Sequence, residues 1–457
     1  MEKTAEQNQS DFTQGGIAGK LLKFMIPVFG ALVLQAMYGA VDLLVVGRFG
    51  SRAGLSGVST GSNVLNLITF VITALAMGVT VVIGHDLGER KPEKISPLIG
   101  GAVLVFAGIA VVLCLIMTIW AKGIASLMMA PPEALDLTAQ YIRICGAGIF
   151  FIVAYNVIAA IFRGLGDSKT PLIFVAIACV CNVVGDLLFV AVFHMNVAGA
   201  ALATIMAQAI SVVLSLVIMS KKDLPFTLKA SHFRINSEVR RFLRIGLPLA
   251  LQEFLTQISF MAICAFINRL GLEASSGYGV ASKLISFIML VPSSMMQSMS
   301  AFISQNVSAG KEDRARKAML IGMVFGASVG VVILILVYLF GGTASSLFTT
   351  RQAFIQRSLD YLKGFGPEAI VTSLLFSLYG YFNGHDRSSF VMILGMLQTF
   401  IVRLPMSYIM STQPHASLTH IGLACPTSTL FGVIVALIYY GHMNRQMKRE
   451  MKAQLPS

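Results

Sequence analysis

Twelve times along this chain the sequence runs apolar for about two dozen residues before a polar break. Such runs lie at 20–47, 54–84, 95–120, 134–162, 170–193, 197–219, 240–268, 275–305, 314–340, 355–382, 388–411 and 418–442. Each is long enough to cross a bilayer as a helix, which takes about 20 residues at 1.5 Å rise. The runs do not alternate apolar and polar, so helices rather than a barrel are expected. Composition agrees. The chain is 56% hydrophobic and 12% charged, against about 45–50% and about 25% for soluble proteins. The expected fold class is an all-α membrane protein.

The excess of positive charge, +13, could suggest nucleic acid. Its placement points elsewhere. The bases gather in alternate connectors: "ERKPEK" (89–94), "SKKDLPFTLKASHFRINSEVRRFLR" (220–244), "AGKEDRARK" (309–317) and "NRQMKREMK" (444–452). That is the positive-inside pattern. It predicts a multi-pass inner-membrane protein with both termini cytoplasmic, basic loops facing anionic lipid and no nucleic-acid partner. The polar start "MEKTAEQNQSDFTQGG" has no cleavable signal pattern. Six cysteines sit in or near apolar runs without metal-type spacing. They read as small buried hydrophobes, and no metal centre or cofactor is expected.

The runs fall into two sets of six about the longest polar connector. The expected layout is a cytoplasmic tail 1–19, a first lobe 20–219, a linker 220–239, a second lobe 240–443 and a basic tail 444–457. The halves repeat. "PVFGALVLQAMYGAVDLLVVGRFGSRAG" (27–54) lines up with "PLALQEFLTQISFMAICAFINRLGLEAS" (248–275), and "VVIGHDLGERK" (81–91) with "AFISQNVSAGK" (301–311). "FRGLGDS" (162–168) lies opposite "FNGHDRS" (382–388), and "VAGAALAT" (197–204) opposite "HIGLACPT" (420–427). An even number of spans per half gives the repeats one orientation. Two six-helix bundles related by a pseudo-twofold axis along the membrane normal follow, a usual build for a secondary transporter.

Ionisable residues inside such spans cost a few kcal/mol each, so each needs a reason. Here they are Asp42, Asp186, Glu253, Lys283 and Arg403. Counted along their helices, Asp42, Asp186 and Thr204 reach similar depth. Asn182 lies one turn from Asp186 on the same face. Two carboxylates, an amide and a hydroxyl in a low dielectric can hold a proton, and the same oxygens can hold a bare Na⁺. Pro27, about four turns from Asp42 on the same helix, removes a backbone hydrogen bond and offers a hinge. The second half does not repeat the acids. Asp42 is matched by an apolar residue near Ile263, and Glu253, Lys283 and Arg403 are the candidate cation or substrate contacts there.

With these features together, the chain resembles the MATE (multidrug and toxic compound extrusion) family over nearly its whole length. The resemblance rests on the first-span sequence around "YGAVDLLVVG", on "RGLGDSKTPL", "CNVVGDLLF" and "VAGAALATIMAQ", and on "LPLALQ", "ISQNVSAGK" and "VRLP" in the second half. It implies a two-lobed antiporter exporting cationic or amphipathic small molecules in exchange for H⁺ or Na⁺. In the DinF-like branch the first-lobe cluster is the coupling site, matched here by Asp42, Asn182, Asp186 and Thr204, with Pro27 as the bending proline. Glu253 matches the span 7 acid of the NorM-like branch. "LLFSLYGYFNG" (374–384) carries no acid to complete that branch's second-lobe site. The rival reading on the same architecture is a lipid-linked precursor flippase or a dedicated metabolite exporter. No DDxxD, HExxH or GxSxG occurs, so an enzyme is not expected. Nothing demands more than a monomer.

Overall fold

The computed structural model describes residues 11–454. The first ten residues of the expected N-terminal tail and the last three of the basic tail lie outside them. Among the described residues there are helices and no strands. Ten helical stretches are long and apolar enough to cross a membrane. An eleventh is bent by 53° between α4 (Leu135–Ala147) and α5 (Ile149–Gly164). The remaining expected span, 355–382, is likewise not one helix. It is α12 (Gln352–Phe365) and α13 (Glu368–Gly384), separated at Gly366–Pro367. The fourth span of each half is therefore broken where the sequence led us to expect a continuous helix. In the second half the cause is a proline, which cannot continue the hydrogen-bond ladder.

The other elements follow the expected runs closely. They are α1 (Ile17–Phe49), α2 (Arg52–Gly88), α3 (Ile95–Ile119), α6 (Lys169–Asp186) and α7 (Asn196–Lys221) in the first half. The second half has α8 (Ser237–Asn268), α9 (Leu272–Ile288), α10 (Leu290–Ser308), α11 (Glu312–Ser346), α14 (Ser388–Leu397), α15 (Leu404–Ser411), α16 (Leu418–Gly422) and α17 (Ala424–Gln454). α1 and α8 each carry an interior proline, Pro27 and Pro248, at matching places, and each helix continues through it. A π-helical stretch follows α6 (Leu187–Val192) and another follows α14 (Gln398–Arg403). Such wide turns recur at functional sites. Here each borders a buried charge, Asp186 in one case and Arg403 in the other.

The outer faces are apolar and open. Leu44, Val112, Ile119, Val180, Val324 and Ile438 are all exposed, as expected of side chains that meet lipid rather than water. By packing, the chain divides into two units. Unit 1 runs to Glu253 and adds Ala301–Arg314; unit 2 is Phe254–Ser300 with the chain from Ala315 onward. Unit 1 has an aromatic core around Tyr38, Tyr155, Phe162 and Phe174. The core of unit 2 gathers Ile263, Tyr278, Tyr361, Phe365 and Cys425. The linker is pinned to the start of α3 in unit 1. The Thr227 amide donates to Ser96 Oγ, and the Asn236 amide to the Pro97 carbonyl.

Candidate functional site

In unit 1, five helices bring polar groups to one point. α1 carries Asp42, and α6 carries Asn182 and Asp186 one turn apart. α7 carries Thr204, α4 carries Tyr141 and α2 carries Ser62. All six are buried. The Asp42 carboxylate accepts three hydrogen bonds: from Asn182 Nδ2 on Oδ1 at 3.2 Å, and on Oδ2 from Thr204 Oγ1 at 2.9 Å and Tyr141 OH at 3.0 Å. Asn182 Nδ2 also approaches Thr204 Oγ1 at 3.3 Å, and Ser62 donates to the Tyr141 hydroxyl at 3.4 Å. The four residues expected to cluster from sequence are thus brought together.

The donors end at Asp42. Asp186 sets its carboxyl within hydrogen-bonding reach of that of Asp42, yet neither Asp186 oxygen meets a donor, and nor does Asn182 Oδ1. Buried polar atoms are nearly always satisfied, and an orphan costs about 1–3 kcal/mol. Three orphan acceptors in one nest leave it short of positive charge. A proton on Asp186 turns an acceptor into a donor. A Na⁺ would be met by carboxylate, amide and hydroxyl oxygens, the donor type hard cations prefer. Among the described residues no trio of His, Cys, Asp and Glu forms a metal-binding group.

Tyr141 was not singled out from sequence. A signal existed, since "YIR" (141–143) lies opposite "YLK" (361–363) in the repeat. Its seat is shaped by α2: a Cβ on Gly61 would lie 2.5 Å from Tyr141 Cδ1. Gly61→Val is expected to push this ring off Asp42 and destabilise the protein by about 1–3 kcal/mol, as overpacking does. A lower melting temperature in detergent is the check; an unchanged one refutes the assignment.

Unit 2 keeps the tyrosine without the acid. Tyr361 is buried in one cluster with Ile263, the residue matching Asp42, and with Tyr278 and Cys425 rather than a carboxylate. A different carboxylate is buried there. Glu368, at the start of α13, accepts from Thr372 Oγ1 at 2.7 Å and Thr429 Oγ1 at 2.8 Å on Oε1, while Oε2 is unpaired. It lies six residues ahead of the stretch 374–384 that carries no acid. Arg403 is near enough to act on it electrostatically. Arg403 Nε donates to Ser428 Oγ at 3.2 Å and its guanidinium lies 5.3 Å from the Phe260 ring centroid. Glu253 is half-buried on α8, in unit 1. Lys283 is half-buried on α9 and makes no hydrogen bond or ion pair among the described residues. Of the three charged candidates of the second half, Lys283 and Arg403 lie in unit 2 and Glu253 in unit 1.

Comparison with known proteins agrees with the internal repeat. The MatE family model matches twice, over residues 27–188 and 248–409. The chain is 27% identical over 431 residues to the probable multidrug resistance protein YpnP of Bacillus subtilis, covering 94% of this chain and 96% of that one. It is 22% identical to the multidrug export protein MepA of Staphylococcus aureus, over 88% of each. Among solved structures, it is similar to an outward-facing conformation of a multidrug resistance MATE family transporter of the MOP superfamily. That match has a TM-score of 0.89 at 19% identity, covering 95% of this chain and 97% of that one. A MATE crystal structure in the bent conformation matches with a TM-score of 0.88 at 19% identity, covering 96% and 98%.

Proposed function

Because this chain belongs to the MATE family, and is therefore a multi-pass membrane transporter rather than an enzyme, we propose that it is a cation-coupled antiporter. It exports organic cations, drugs or other amphipathic toxic compounds by alternating access, in exchange for H⁺ or Na⁺. The coupling site is Asp42, Asn182, Asp186 and Thr204, with Tyr141 fixing the Asp42 carboxylate. The observation that carries this is the surplus of acceptors: three buried oxygens without donors beside a carboxylate that already holds three. A cation that fills this nest stabilises whichever state presents it, and only such differential affinity can drive the cycle. Pro27 lies on the same helix about 22 Å from Asp42 and serves as its hinge. The distribution of basic loops supports an inner-membrane location with both termini in the cytoplasm.

The test is exchange in proteoliposomes, with a panel of unrelated organic cations inside and either a pH gradient or a Na⁺ gradient imposed. Export driven by one gradient and collapsed by the matching ionophore is the expected result, and it names the ion. Export of none of the panel under either gradient would overturn the reading and favour a dedicated metabolite exporter or lipid-linked precursor flippase.

A further inference from the structure

The short segment ahead of α1 is tied down by residues almost three hundred positions away. Phe12 is buried between Phe24 and Phe302, with ring centroids 5.0 Å from each. Its amide donates to Gln305 Oε1 at 2.6 Å, and its carbonyl accepts from Asn306 Nδ2 at 3.2 Å and Arg314 Nη2 at 3.0 Å. Arg314 also donates to the carbonyls of Gln14 at 3.2 Å and Gly15 at 2.9 Å, and is held by Asn306 Oδ1 at 3.1 Å. Lys311 Nζ donates to the Thr13 carbonyl at 2.8 Å. Asp11 closes the turn by accepting from the Thr13 amide and hydroxyl at 2.8 and 2.6 Å. Burial works against the Asp11 charge, but Thr13, Lys20 and Lys311 outweigh it and hold the carboxyl below its usual range. The turn therefore stays formed at neutral pH.

The grip has a repeat-related counterpart. In the internal alignment Gly84 answers Ser304, and Asp86 answers Asn306. Within unit 1 the first matched pair meet face to face: a Cβ on Gly84 would overlap Ser304 Oγ. From the first of the two matched segments, Asp86 accepts from Arg241 Nη1 at 2.9 Å, joining the end of α2 to the foot of α8. From the second, Gln305 and Asn306 join the end of α10 to the chain leading into α1. One arm is an ion pair; the other is a set of amides and a guanidinium on bare backbone.

We propose that residues 11–16 are a latch. Seated on Gln305, Asn306, Lys311 and Arg314, they lock the basic end of unit 1 closed in this conformation and must let go in every transport cycle. This rests on the alternating-access reading above. The latch runs without interruption into α1, which carries both Pro27 and Asp42. Bending or sliding of α1 pulls on it directly. Hydrogen bonds to carbonyls and one aromatic plug are reversible fastenings of the kind such a part requires.

The test uses full-length protein with its six native cysteines replaced by alanine, reconstituted in liposomes. Thr13→Cys and Lys311→Cys are joined by a short bis-methanethiosulfonate linker. Gradient-driven export is expected to fall at least tenfold and to return on reduction; undiminished export while linked overturns the proposal. A second readout needs no transport. In the same background, maleimide labelling of Ser304→Cys is expected to rise about tenfold when Phe12→Ala is added, with the melting temperature showing that the protein is still folded. Unchanged labelling overturns the latch. If the unlinked protein exports nothing, the functional reading fails, while the labelling still decides the latch.

Discussion

Asp42→Asn is expected to cut gradient-driven export at least about a hundredfold, equivalent to about 2.7 kcal/mol of lost coupling, while leaving the melting temperature nearly unchanged. The nest tolerates the amide. Its carbonyl oxygen can keep the two hydroxyl donors, Thr204 and Tyr141, which now share one acceptor atom. Its NH₂ then faces Asn182, whose own oxygen is an orphan and can turn to accept. Shape and hydrogen bonding survive; one of the two carboxyls does not. Asp186 alone remains, so the nest has lost half of the charge that an incoming cation meets. The check is export by purified variant and wild type in proteoliposomes, alongside thermal unfolding in detergent. Full export by the variant would make Asp42 a structural residue and move the coupling site elsewhere.

Glu368→Leu is expected to destabilise unit 2 by about 3–5 kcal/mol, the usual cost of removing one partner from a buried charged set. Two threonine hydroxyls lose their acceptor. Arg403 loses the nearby anion and keeps only Ser428 and the Phe260 ring. Adding Arg403→Met should recover most of the loss, because replacing both charges by apolar groups of similar volume is close to neutral. The measurement is the melting temperature of the two single variants and the double variant. A double variant no better than the Glu368→Leu single would show that the two charges do not compensate each other.

Much of this was open to reading from the chain itself. Span length and apolarity located ten of the twelve expected helical passages, because a bilayer imposes one length on every crossing. The repeat was legible because matched motifs recur in order. Asp42 and Asp186 stood out because a carboxylate in an apolar run is too costly to be idle. Tyr141 did not, since a tyrosine in such a run reads as packing, and only the neighbouring acid gives its hydroxyl a purpose. Glu368 was hidden for another reason. It lies inside the run 355–382 that reads as one span, and only the structure shows it at the start of α13 after Pro367, bonded to Thr429 of α17. The breaks in the fourth span of each half were invisible to hydropathy, which sums over a window and does not feel a bend. The packing of Ala301–Arg314 into unit 1 is a tertiary choice that no local pattern encodes.

Tyr361 sharpens what duplication has done here. Its hydroxyl, buried in one cluster with Ile263, is the mate of the hydroxyl that elsewhere donates to Asp42. The architecture is doubled, but the carboxylate nest is written once. A machine with two equal ion sites could be pushed from either side and would need both to agree. On the coupling proposed above, one half of the protein answers the ion and the other half answers only the first.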